Sequence, residues 1–439
     1  MATMDVYAAR RREFMNRIGP RAVALLAGRS TTHRNSDVEH RFRQPSDLLF
    51  LTGFPEPDTW AVLAPGRDKP FTLFVRPRDR DREIWTGRRA GVEGAVERFG
   101  ADQAFPSDRL KDELPKLLDG ADEVLCVPGE DRHADEVVSG ALAHLRAAER
   151  RGMRAPTTIT DLRVSLHEQR LVKDAAALAT LERAAAVTFT AHTAAMRAAR
   201  DGVMEYEIEA LIDYTFRRHG GFPGYGTICG GGDNATILHY VDHDRALKKG
   251  ELLLVDAGCE VDGFTADVTR TYPIGARFSP AQRRLYELVL ETEKACVAAV
   301  RPGETVEGIH AMAVERLTEG MVRLGLLSGE PKALVESGAY KRFYMHRTSH
   351  WLGLDVHDVG AYTVEGKPRP LAPGMVLTVE PGLYVAADAE DVPDEYRGLG
   401  VRIEDDVLVI EPKPGGIAHR VLTAAVPKEI EELEALTTA

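Results

Sequence analysis

The chain has 439 residues, 44% apolar and 28% charged, the composition of a globular protein with room for two or three domains and a sizeable core. Its 56 Lys and Arg against 68 Asp and Glu leave a net charge of −12, with no long block of like charge, which argues against nucleic acid as a partner. The Ala-rich stretch 171–199 is interrupted by Lys173, Asp174, Glu182, Arg183 and Arg197, so no membrane span is expected.

The first 30 residues are rich in arginine, yet Asp5, Glu13 and the want of a long apolar stretch argue against a removable targeting segment. Residues 6–26 suit a helix leading into a strand, and 50–53, 61–64, 71–75 and 124–127 read as short strands between Pro and Gly breakers. With a helix over 134–150, this part reads as α/β. Pro156 punctuates the chain before 159–170, and a second domain is expected from 171, giving 1–170 and 171–439. That second domain reads as α+β: helices over 171–200, 205–219, 280–301 and 305–324, strands over 251–257, 265–272, 375–380 and 401–410. Cys126, Cys229, Cys259 and Cys296 lie far apart without a C-x-x-C pair, so neither a zinc ribbon nor a disulfide framework is expected, and the expected compartment is the reducing cytoplasm.

Two aspartates share one predicted hairpin. A loop at 261/262 sets Asp256 directly opposite Asp267; a loop at 262/263 leaves them diagonal on the same face; only a three-residue loop without a bulge separates them. Two carboxylates ~5 Å apart repel by about 3 kcal/mol at an effective dielectric near 20. Either a cation sits between them, or one aspartate is a turn residue and the other is solvated. Farther on, His346, His350 and His357 crowd one short stretch, where an imidazole could ligate a divalent ion and its neighbours could donate protons. Glu380 ends an apolar run at a Pro-Gly turn, a position that suits a turn edge as well as a ligand. Arg402, Glu404 and Asp406 alternate with apolar residues, the pattern of a solvent face. His239 lies in a polar loop, where most histidines are inert.

Five segments in order, at 237–240, 253–273, 349–360, 377–384 and 396–409, resemble bacterial aminopeptidase P, in the family that includes prolidase and methionine aminopeptidase. Residues 35–54 and 83–91 resemble the amino-terminal domain of that branch. The resemblance implies an α/β amino-terminal domain followed by an α+β catalytic domain of the pita-bread fold. It implies a two-metal centre held by Asp256, Asp267, His350, Glu380 and Glu404, usually manganese, with cobalt, zinc and iron as alternatives. By the same resemblance Glu380 also shuttles a proton to the departing proline nitrogen, His239 and His357 flank the substrate, His346 lines the proline pocket, and Arg402 orients ligand carboxylates. Tyr225 and Tyr384 read as packing rather than polar contacts. Trp85 matches a tryptophan that reaches a neighbouring subunit in the family, implying a homodimer or homotetramer; read locally, in an Arg-rich stretch, it could instead cover its own domain.

The implied activity is release of the first residue from peptides with proline second. Its rivals are a prolidase restricted to dipeptides and a metal-free or non-catalytic peptide-binding relative. The first-domain motifs and the segment 221–227 favour the aminopeptidase, and all five ligand positions persist. One departure stands out: where the family commonly has Gly after the histidine matching His346, this chain has Arg347 and Thr348. Directed inward, Arg347 would bind a product carboxylate and favour short substrates; directed to solvent, it would do neither.

Overall fold

The computed structural model describes residues 4–275, 277–412 and 416–438. The chain divides into two compact units, Met1–Gln169 and Arg170–Ala439.

The first unit is built on a mixed six-stranded sheet. Its strands lie in the order Gln103–Pro106, Phe71–Val75, Trp60–Leu63, Ala22–Ala27, Glu123–Cys126 and Thr158–Asp161. Ala22–Ala27 runs parallel to Glu123–Cys126 and antiparallel to Trp60–Leu63. Ala22–Ala27 and Trp60–Leu63 are buried along nearly their whole length, which is why they read as continuous apolar runs rather than alternating ones. The strand expected at 50–53 is instead the end of the helix Ser46–Thr52. A short apolar run does not discriminate between the two, and Gly53 decides it: at φ 63 it closes the helix, its N–H bonding the carbonyl of Leu49.

The second unit wraps helices around a set of short antiparallel strands. The helix Ala175–Ala198 is capped by Asp174, whose carboxylate accepts from the N–H of Ala177 at 2.7 Å. Ser279 and Gln282 form a capping box before Pro280–Ala299, with proline in the first turn where its missing N–H costs nothing. Thr305 caps Val306–Arg323, its hydroxyl accepting from the N–H of Gly308 at 2.9 Å. These helices bury Ala, Leu, Ile and Val against the strands Leu252–Asp256, Thr269–Pro273, Val376–Val379 and Asp405–Val409, and that apolar layer is the floor under the site.

Two expected strands are each broken in the middle. The run 265–272 divides into Phe264–Thr265 and Thr269–Pro273, and 401–410 divides into Leu399–Arg402 and Asp405–Val409. At the breaks the backbone finds other partners: the N–H of Asp267 donates to Asp406 Oδ2 at 3.1 Å, and that of Glu404 to the carbonyl of Thr269 at 3.1 Å. The side chains of Asp267 and Glu404 thus leave interrupted strands near one another. The stretch carrying His346, His350 and His357 is loop, with a single bridge from Trp351 to Leu377 in place of a strand.

Candidate metal centre

The hairpin takes the diagonal arrangement. Glu260 pairs with Thr265 and Val261 with Phe264, so Asp262 and Gly263 form the loop, both in the left-handed region at φ 50 and 89. The same register carries Asp256 opposite Thr269, which leaves Asp267 diagonal to Asp256 on the same face. Gly258 makes this approach feasible, because a Cβ there would sit 1.7 Å from the carbonyl oxygen of Ala266. Behind the hairpin the buried His192 contacts the carbonyl of Ala257 at 3.0 Å, and burial lowers its pKa to about 4.

Tyr225 joins the two aspartates, its hydroxyl 2.6 Å from Asp256 and 2.5 Å from Asp267. One hydroxyl hydrogen cannot fully serve two carboxylates, so negative charge is left over. Ligand atoms of Asp267, His350 and Glu404 lie within 4.8 Å of one another. Glu380 Oε1 stands 3.6 Å, and Asp267 Oδ2 3.3 Å, from His350 Nε2. The other ring nitrogen, Nδ1, donates to the carbonyl of Trp351 at 3.0 Å, which fixes the tautomer with Nε2 facing the carboxylates.

Glu404, expected on a solvent face, is 2% exposed. Thr269 donates to its Oε2 at 2.6 Å, and Arg402 Nε in turn donates to Thr269 at 2.9 Å. Arg402 also donates to Asp256 Oδ2 at 2.7 Å and to the Tyr384 hydroxyl at 2.9 Å. Tyr384 passes its own hydrogen to His346 Nε2 at 2.8 Å, while His346 Nδ1 bonds the carbonyl of Arg347 at 2.7 Å. A single bonded line therefore runs from Asp256 through Arg402 and Tyr384 to His346. Both tyrosines, expected as packing, hold polar positions.

The electrostatics match an anion cluster waiting for a cation. Burial first, then the neighbouring carboxylates, raise the carboxyls of Asp267 and Glu404 above their ordinary range. Glu380 is lifted to about 7, mainly by burial, against the charge of His350. Burial opposes the charge on His350, but its hydrogen bond to Asp267 and the charge of Glu380 raise it to about 9. Burial and then Arg402 lower His346 to about 3, so that ring is neutral. Oxygen-rich donors, an imidazole held in the ligating tautomer and surplus buried negative charge together fit hard divalent cations.

Asp256, Asp267, His350, Glu380 and Glu404 all line one cavity of about 760 Å³, and His239, His346, His357 and Arg402 line it too. His357 lies against His350, ring centres 4.4 Å apart. Sequence reasoning did not single out Thr269 or Ser349, and Asp406, expected on the same solvent face as Glu404, is buried and accepts from the N–H of Asp267. The buried Ser349 hydroxyl lines the cavity without a hydrogen-bond partner among the described residues. Thr269 had a signal, since the loop that makes the aspartates diagonal also sets Thr269 opposite Asp256.

Residues 179–411 match the model of metallopeptidase family M24, and residues 7–126 that of the aminopeptidase P N-terminal domain. The chain is 42% identical over 436 residues to an Xaa-Pro aminopeptidase of Escherichia coli, covering 99% of this chain and 97% of that one. It is 33% identical to the human Xaa-Pro aminopeptidase 3, covering 98% and 85%. The structure of aminopeptidase PepP from Pseudomonas aeruginosa superposes with a TM-score of 0.96 at 45% identity, covering 99% and 98%. A zinc-substituted aminopeptidase P of E. coli in complex with product superposes at 0.95 and 42%, covering 99% and 98%. The two units are the α/β amino-terminal domain and the pita-bread catalytic domain of this fold. The chain therefore belongs to metallopeptidase family M24, with an amino-terminal domain of the aminopeptidase P type.

Proposed function

We propose that the chain is an Xaa-Pro aminopeptidase, a hydrolase that removes the first residue from peptides with proline second. The observation that carries this reading is the convergence of four carboxylates and His350 in one cavity. The whole-length likeness to proteins named Xaa-Pro aminopeptidase favours it over a dipeptide-restricted prolidase. Asp256, Asp267, His350, Glu380 and Glu404 would hold two divalent ions, and the oxygen-rich set favours manganese. Bound there, such ions supply a nucleophile at neutral pH and stabilise developing negative charge.

The chain's own residues do the rest. A bond before proline is a tertiary amide whose nitrogen carries no hydrogen, so the leaving nitrogen must be given a proton. Glu380, whose carboxylate oxygens stand 3.6 Å from His350 Nε2 and 3.6 Å from His346 Nδ1 in the cavity, is the group that delivers it. Neutral His346, edge-on to Tyr344 with ring centres 5.0 Å apart, offers the proline ring an aromatic wall. His239 and His357 are exposed to the cavity and serve as donors to the substrate carbonyl. Arg402 holds Asp256 and, through Thr269, Glu404 in place.

A homodimer or homotetramer is part of this proposal: on the helix Arg80–Thr86, Ile84 is 79% and Trp85 87% exposed, an apolar pair suited to a neighbouring subunit. A cytoplasmic location suits the four free, buried cysteines. The test is release of the first residue from Xaa-Pro peptides by purified protein, lost on chelation and restored by manganese. Activity that survives chelation would overturn the reading.

A further inference from the structure

The rim of the cavity carries an ion pair with no part in the chemistry above. Arg347 follows His346 directly in the chain, and its Nη2 lies 3.0 Å from Glu307 Oε1. Both residues line the cavity, yet 57% of the Arg347 side chain and 37% of that of Glu307 are exposed, so Arg347 takes neither of the two expected orientations: it is held on the rim by Glu307, in reach of both the cavity and solvent. Glu307 engages it through one oxygen; the other, Oε2, is buried and lacks a hydrogen-bond partner among the described residues. A guanidinium has five N–H donors in a planar fork suited to a carboxylate, and a single-oxygen contact at an exposed site leaves most of that capacity unused. The charge also reaches inward. After burial, Arg347 is the next influence that lowers the pKa of His310 to about 4, and it acts on Tyr362, another cavity residue.

We propose that Arg347 is a specificity-determining residue that binds the terminal carboxylate of short peptide substrates. The inference rests on the proposed Xaa-Pro aminopeptidase reading. His346, its neighbour in the chain, belongs to the proline side of the site, and each residue beyond the proline adds about 3.3–3.6 Å. A carboxylate on the proline itself, or one residue past it, is the anion within reach. Glu307 keeps the guanidinium at the rim; an arriving carboxylate shares or replaces that contact. Exposed pairs of this kind are weak and readily exchanged.

The test compares an Xaa-Pro-Yaa peptide acid with its C-terminal amide, using manganese-loaded wild type, Arg347→Ala, Arg347→Lys and Glu307→Gln. In wild type the acid is favoured in kcat/KM by about tenfold, as one charge-assisted contact warrants, through KM rather than kcat. Arg347→Ala brings the ratio close to one with the amide unaffected, Arg347→Lys retains part of it, and Glu307→Gln raises it. Calorimetric affinities of the same acid and amide give the ratio without turnover. Equal acid-to-amide ratios in wild type and Arg347→Ala would overturn this proposal and leave the aminopeptidase reading intact. A chain that cleaves neither peptide, yet binds the acid more tightly through Arg347, would overturn that reading and leave this one.

Discussion

Replacing Asp358 by alanine isolates the clamp that holds the histidine loop. Asp358 Oδ1 accepts from Arg170 at 2.6 Å and Oδ2 from Lys173 at 2.9 Å, and its N–H closes the loop onto the carbonyl of Trp351 at 2.8 Å. The side chains of Arg170, Lys173 and Asp358 are 3%, 1% and 2% exposed, so removal of the anion leaves the buried Lys173 ammonium with backbone carbonyls alone and Arg170 with Asp355. Each contact is worth about 6 kcal/mol of attraction at an effective dielectric of 20, most of it offset by desolvation. The net loss on removing one partner is about 3–5 kcal/mol, a drop of about 10 °C in Tm for a unit of this size. Burial works against the Asp358 anion, but Lys173 and Arg170 outweigh it and hold the carboxyl below its ordinary range. A depressed carboxyl contributes stability above its unfolded pKa of about 3.9, and loses it as pH falls through the folded value. The gap between wild type and Asp358→Ala therefore closes below about pH 4 and is full from about pH 5 into the neutral range. Burial already lowers the Lys173 ammonium, so part of the variant's deficit is recovered as pH rises toward about 10 and Lys173 sheds its proton. Thermal melts across pH, followed by tryptophan fluorescence, measure both effects. A drop below about 2 °C at pH 7 would refute the reasoning.

Thr269→Val removes the hydroxyl between Arg402 and Glu404 while keeping its shape. Metal affinity, titrated by calorimetry, falls about 10- to 100-fold, and an unchanged affinity would show that Glu404 needs no such support. Gly258→Ala forces a Cβ against the carbonyl of Ala266, which costs about 3 kcal/mol or more in chemical denaturation; a cost below about 0.5 kcal/mol would exclude the close approach. In chelated protein Asp267, Glu380 and Glu404 have raised carboxyls, Glu380 to about 7. A raised folded carboxyl gives stability below its unfolded pKa and loses it as pH rises through the folded value, so chelated protein weakens between about pH 4.5 and 7, by about 3 kcal/mol from Glu380 alone. Melts of chelated protein that rise over that range would contradict the cluster.

The sequence carried the elements whose signals are local. Asp174, Ser279 and Thr305 cap helices near the expected starts, and the Asp262-Gly263 loop was one of the registers that brings Asp256 and Asp267 to one face. Where local pattern failed, the cause was tertiary. Alternation at Arg402, Glu404 and Asp406 imitates a half-exposed strand, but the strand ends at Arg402, another begins at Asp405, and all three polar side chains are buried. Tyr225 and Tyr384 are aromatic residues near apolar runs, and only the fold shows that their hydroxyls meet Asp256 and Arg402. The run at 50–53 was decided by a glycine cap, which a short apolar window cannot weigh against strand propensity. For the histidine loop, composition signalled a site while giving no register.

The seating of cations by scattered side chains is tested most directly by counting them. Protein dialysed against manganese and then against buffer, analysed by plasma mass spectrometry, retains about two ions per chain, whereas Asp267→Ala and Glu404→Ala retain few and release no residue from Xaa-Pro peptides. Full occupancy or full turnover in either variant would contradict the assignment.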